Sequence, residues 1–228
     1  MNRGNAPKSV QALFRKYSFI VVSHVVEHDL GGHFTALVEF LKTRTNRVLQ
    51  IGLPFHYSND RAPMARLYVD GILSKQRRST LPYSMRGIPP VSYINDLLFT
   101  LHHCAAQKHS SIYVGADCLN AMTGIFMRKL GSIRVVIYYV IDYSPTRFSN
   151  VLLNFLYQAL CRFSATHSDC VWTLSKRMTN AYVSMGTLFA KIIIVPTGAN
   201  PKDRSFSSGR TDRRIAFIGH LVKGKGVD

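Results

Sequence analysis

Arg134-Val-Val-Ile-Tyr-Tyr-Val-Ile141, followed at once by Asp142-Tyr-Ser-Pro145, is the stretch that decides the fold. It is rich in β-branched and aromatic residues, which favour an extended chain. Its apolar residues are consecutive rather than alternate, the pattern of a strand buried on both faces. The Asp-x-Ser-Pro that follows is turn chemistry and ends the strand. Downstream, the pattern predicts a helix over 148–165, a strand over 170–174, a helix over 175–185 stopped by Gly186, and a strand over 191–195 ending at Pro196. Upstream, it predicts strands over 19–26, 47–53 and 111–116. Between them lie helices over 33–42, with Phe34, Leu37, Val38 and Leu41 on one face, over 91–107, and over 118–129, ended by Gly131. Strands alternating with helices predict an α/β fold, a doubly wound parallel sheet with helices on both sides.

The region from His56 to Pro90 breaks the rhythm. It holds Arg61, Arg66, Lys75, Arg77, Arg78 and Arg86 among turn residues, and reads as loop apart from a short strand over 66–69. A second break covers 201–212, polar and turn-rich, and reads as a linker. A fresh strand then opens at Arg214-Ile-Ala-Phe-Ile-Gly219 and the sequence ends at Asp228. One strand and one loop bury no core of their own. The expected organisation is a Rossmann-like domain over 1–200, the linker, and a stub of a second such domain over 213–228.

The 228 residues are 46% hydrophobic and 18% charged, a globular composition. Lys and Arg number 29 against 12 acidic residues, a formal net charge of +17. That balance favours anionic partners: nucleic acid, anionic lipid headgroups or phosphorylated small molecules. The basic residues are spread along the chain and no nucleic-acid motif appears, which counts against nucleic acid. The cysteines, Cys104, Cys118, Cys161 and Cys170, form no Cys-x-x-Cys pair and read as reduced, packed thiols. The first residues are polar and basic without an apolar signal core, and no apolar run reaches the roughly 20 residues that span a bilayer. The expected location is cytoplasmic, with the option of resting on the inner face of a membrane.

In open α/β sheets, ligands bind outside the carboxyl ends of the strands. Gly31 and Gly32 fall there, after the first strand, where they let backbone approach a ligand at a helix N-terminus or simply make a tight turn. Asp142 and Asp117 follow later strands, each placed to orient or deprotonate a hydroxyl or to cap the next helix. Gly219-His-Leu-Val-Lys-Gly-Lys-Gly226 fits a diphosphate cradle or a solvated basic turn, without Walker spacing. His24, His28 and His33 are spaced across a strand, a loop and a helix start, and read as independent core or surface histidines rather than a metal set. No metal and no cofactor is called for.

Ile215-Ala-Phe-Ile-Gly-His-Leu-Val-Lys-Gly-Lys-Gly-Val-Asp228 resembles the opening of the second domain in GT-B glycosyltransferases of the group 1, retaining type. In that family an apolar strand leads into Gly-Arg-Leu, a short variable stretch and Lys-Gly-Val-Asp. Gly219 and Lys225 match the family's glycine and lysine, and His220 replaces its arginine. Ile193-Ile-Val-Pro-Thr-Gly-Ala-Asn200 looks like the interdomain strand and turn, and the segments around Tyr138–Pro145 and Asp169–Ser175 look like the family's first domain. The resemblance runs from Phe19 to the end. It implies transfer of a sugar from a nucleotide-sugar donor to a sugar, lipid-linked or other acceptor bound by the first domain. It places Gly219, His220 and Lys225 on the donor diphosphate, Gly31, Gly32 and Asp117 near acceptor and donor phosphates, and Asp142 at the catalytic position. The family's E-x7-E motif lies deeper in the second domain than this sequence reaches, so the chain alone is expected to have little or no activity. A lipid-linked acceptor would suit docking of the 61–86 basic stretch on an anionic membrane, and that stretch reads equally as a solvated loop. The runner-up reading is a basic α/β module that binds nucleic acid or a protein partner without catalysis.

Overall fold

A computed structural model describes residues 12, 14–26, 28, 32–55, 58, 62–80, 89–107 and 111–196. The linker and stub over 201–228, and with them Gly219, His220 and Lys225, lie outside the described residues, as does Gly31.

The strands are β1 (Ser18–Val25), β2 (Arg47–Pro54), β3 (Met64–Val69), β4 (Ile72–Arg78), β5 (Ser111–Ala116), β6 (Val135–Val140), β7 (Cys170–Thr173) and β8 (Ile192–Ile194). They form one sheet in the order β4-β3-β2-β1-β5-β6-β7-β8. β1 pairs in parallel with both β2 and β5, and β6, β7 and β8 continue the parallel run. The winding therefore reverses at β1, with successive strands added on either side of it, which makes the gap between β1 and β5 the topological switch point.

Among the described residues five α-helices fill the connections: α1 (His33–Lys42), α2 (Pro89–Ala105), α3 (Cys118–Lys129), α4 (Val151–His167) and α5 (Lys176–Ser184). Strand alternation divides the core between the two faces. Phe19, Val21, Val48, Val114 and Ile137 pack with Phe34, Val38 and Leu41 of α1. Ile20, Val22, Ile51, Tyr113 and Val136 pack on the other face with Cys104 of α2 and Ile125 and Met127 of α3. Tyr138 and Val171 meet Cys161 and Ala165 of α4 and Tyr182 of α5. The Tyr138 and Tyr182 hydroxyls pair at 2.8 Å, which satisfies two phenols that would otherwise be costly to bury. All four cysteines are free thiols.

The sheet is thus doubly wound α/β, with one departure from the expected all-parallel pattern. The stretch read as mostly loop contains the antiparallel hairpin β3–β4, which extends the sheet beyond β2. Every residue of β4, Ile-Leu-Ser-Lys-Gln-Arg-Arg, is exposed. A solvated edge strand shows no apolar period, so periodicity cannot find it. The turn itself is Asp70-Gly71, both at positive φ (49° and 82°), as a two-residue type I′ hairpin turn requires. The helix expected over 148–165 begins later, at Val151, because Asn150 caps it by accepting from Leu153 N–H.

Candidate active site

The site is built where β1, β5 and β6 end. β5 runs into α3 without a loop, and Asp117 makes the whole turn. Its backbone sits at φ 131°, ψ 168°, a region populated almost only by glycine that costs an ordinary residue about 1–3 kcal/mol. The side chain explains why an aspartate is held there. One carboxylate oxygen accepts from the Asn120 backbone N–H at 2.8 Å, capping α3. The other accepts from the Asn120 amide at 2.7 Å and faces His24 Nδ1 at 2.7 Å. The close approach of α3 to β5 that brings Asn120 into range depends on Gly115, whose missing side chain leaves room for the Ala121 backbone.

His24 ends the buried part of β1 and is itself largely buried. Its ring stacks on Phe55 at 5.3 Å and meets Tyr93 of α2 edge-on at 6.1 Å. Nε2 faces the carboxylate of Asp96, also on α2, at 3.8 Å, an ion-pair distance too long for a hydrogen bond. Burial by itself would lower the pKa of the imidazole, but the two carboxylates outweigh it and push it up to about 10. His24 is therefore an imidazolium at neutral pH, with Nδ1–H donating to Asp117. Burial raises the pKa of Asp96, and the attraction of His24 offsets only part of that rise. Among the described residues no group of His, Cys, Asp and Glu is arranged to hold a metal ion.

Asp142 follows β6, as the sequence predicts, but it is not the cap of α4. It is well exposed and pairs with Arg147 at 3.2 Å. The loop carrying both is pinned by polar residues of α4: Asn154 donates to Pro145 C=O at 3.0 Å, and Gln158 donates to the same carbonyl at 2.9 Å. Between these groups lies a cleft of about 390 Å³. His24, Asp117, Asp142 and Arg147 form its polar side; Phe148, Leu153, Leu156 and Leu160 form much of its apolar side.

Asp117 and Asp142 thus share one cleft. Gly32 is not part of its lining. It stands at the N-cap of α1 with no side-chain cap and nothing within 4 Å of where a Cβ would be. Neighbouring His33 meets Tyr139 edge-on at 6.3 Å. His28 is structural: its Nε2 pairs with the Ala62 carbonyl at 2.8 Å, and its ring occupies the space beside Gly52. His28 and His33 have separate partners, the Ala62 carbonyl and the Tyr139 ring, whereas His24 is an ion-paired site residue. It was hidden because its partner Asp117 is 93 residues away and no local motif links them. Asp96 was missed for the same reason; Asn120 lies only three residues from Asp117, in the first turn of α3, where it reads as an ordinary helix residue.

No family model and no curated protein matches the sequence. Among solved structures, those of Anabaena Alr3699/HepE are similar to it. The complex with UDP is 14% identical over 81% of this chain and 45% of that chain, with a TM-score of 0.46. The complex with UDP and glucose is 12% identical over 82% and 46%, with a TM-score of 0.47. This chain spans about half the length of those two.

Proposed function

We propose that the chain forms the acceptor side of a glycosyltransferase of the GT-B, group 1 retaining type, which moves a sugar from a nucleotide-sugar donor onto an acceptor hydroxyl. The observation that carries this reading is the cleft at the switch point, with a strained carboxylate, Asp117, fixed in it by His24 and Asn120. A carboxylate locked from two sides pre-organises whatever hydroxyl it accepts from, and positioning of this kind is a large part of catalysis. Asp142, tethered to Arg147 at the rim, would hold a second hydroxyl of the acceptor. The resemblance of 215–228 to a donor-domain opening supplies the rest: Gly219 backbone, His220 and Lys225 would stabilise the departing diphosphate, and Gly31 and Gly32 would approach it from the first domain.

The test is transfer of label from a panel of nucleotide sugars by the full-length gene product. Asp117→Asn keeps the helix cap through Oδ1, but its amide nitrogen faces the Asn120 amide and His24 Nδ1 where the carboxylate accepts from both, so its folding is checked by urea unfolding beside the assay. It is expected to lower kcat roughly a hundredfold or more with a much smaller change in donor KM. Asp142→Asn is expected to act mainly on acceptor KM. Absence of transfer from every donor by folded protein would remove the reading. Full activity of Asp117→Asn would remove the role given to that carboxylate.

A further inference from the structure

The first two turns of α4 are inverted in polarity. Their polar residue, Asn154, faces the protein and holds the 145–148 loop. Their apolar residues face out: Val151 is 84% exposed, Leu152 65% and Phe155 66%. Phe148 on the adjoining loop is exposed as well. Only further along, at Cys161, Ser164 and Ala165, does the helix bury a face. A run of large apolar side chains this exposed is a docking surface rather than scatter.

Two observations say what it docks on. The first is continuity with the cleft. Leu153 and Leu156, on the same two turns, line it, so an apolar path leads from the exposed helix to the Asp117 and Asp142 carboxylates. The second is charge. α4 and α5 both start at the carboxyl edge of the sheet, because each follows a parallel strand. That edge carries Lys176 and Arg177, both exposed, together with Arg147, which pairs with Asp142, on a chain of net charge +17. Apolar side chains flanked by cations match an anionic bilayer, whose headgroups attract the cations while the side chains enter the acyl boundary.

We infer that the start of α4, with Phe148, Val151, Leu152 and Phe155, seats the protein on an anionic membrane surface and that the cleft beside it takes an amphiphilic, lipid-linked acceptor. The polar head of such an acceptor meets Asp117 and Asp142, and its chain leaves along Leu153 and Leu156 into the lipid. The acceptor part of this inference rests on the function proposed above; the membrane part does not. It also puts the docking surface away from the basic 61–86 stretch, which the sequence alone offers as either a membrane contact or a solvated loop.

Flotation of the chain with phosphatidylglycerol–phosphatidylcholine vesicles tests it. The parent is expected to float with these vesicles, more weakly with phosphatidylcholine alone, and to keep part of its binding as salt is raised. Leu152→Asp with Phe155→Asp is expected to cut partitioning roughly tenfold or more, while Arg77→Glu on the hairpin changes it little. Both α4 positions are exposed, and Leu152→Ser with Phe155→Ser gives the same test should the aspartates disturb folding. The inference is overturned if the double variant floats like the parent, or if Arg77→Glu alone abolishes flotation. It is overturned equally if the parent does not float and light scattering shows a dimer that the double variant dissociates. Flotation uses no sugar donor, so its failure leaves the transfer assay standing. Failure of transfer to a soluble, lipid-free acceptor speaks to the cleft alone.

Discussion

His24→Ala is expected to destabilise the folded chain by about 3–5 kcal/mol, the cost of removing one partner from a buried ion pair. The imidazolium is the only cation placed between Asp117 and Asp96 among the described residues, at 2.7 and 3.8 Å. Without it Asp96, already resisting ionisation because it is buried, must take up a proton or carry an uncompensated charge. Asp117 loses the contact that helps hold its strained backbone. The same arrangement fixes a pH dependence. The folded-state pKa of His24, about 10, lies above the ordinary 6.5, so the native state holds a proton that the unfolded chain has released. Its stabilisation is fully present below pH 6.5 and is lost as pH rises toward 10. The raised pKa of Asp96 has the same sign at lower pH, since there too the native state binds protons more tightly. Urea unfolding across that range is expected to show stability falling with pH in the parent. In His24→Gln, which keeps a hydrogen-bond donor but cannot titrate, the fall between pH 6.5 and about 8 should vanish, while the fall at higher pH from buried thiols and phenols of raised pKa, such as Cys104 and Tyr138, should remain. A parent whose stability is flat over the lower interval would mean that the native imidazole is neutral.

Much of the architecture was legible because buried parallel strands advertise themselves. Val-Val-Ile-Tyr-Tyr-Val in β6 and Ile-Val-Val in β1 need no alternation, since both faces are covered. Glycines marked the ends of α3 and α5, and Gly131 and Gly186 do stand at positive φ. The hairpin was lost for the opposite reason: β4 is solvated, and its one strong signal, Asp70-Gly71, is a turn signal rather than a periodic one. The site divides in the same way. Asp117 and Asp142 could be picked out because each directly follows a strand. What the sequence could not rank was their environment. Asp117 is clamped by three donors, whereas Asp142 stands in solvent on a single arginine. That difference arises from β1 lying beside β5, which only the sheet order reveals.

Gly115→Ala is expected to cost about 3 kcal/mol, at the upper end for overpacking in a core, and to dismantle the site as well. A Cβ at Gly115 would lie 2.5 Å from Ala121 N, 2.7 Å from Ala121 Cα and 2.8 Å from Asn120 C. These are backbone atoms of the first turn of α3, so no side chain can swing aside to admit the methyl group. Relief requires α3 to lift from β5, and α3 carries Asn120, the residue that clamps Asp117. Gly131→Ala is the control, because a Cβ there meets nothing within 4 Å and the only penalty is its positive φ of 76°. That penalty is about 1 kcal/mol, and it falls at the far end of α3. The two variants should differ in more than stability. In Gly115→Ala the His24 ring, followed by NMR titration, should move back toward an ordinary imidazole pKa as Asp117 comes loose. In Gly131→Ala it should titrate like the parent. If Gly115→Ala lost stability yet left the His24 titration unchanged, the clamp on Asp117 would not depend on how closely α3 lies on β5, and the strain at Asp117 would need another source.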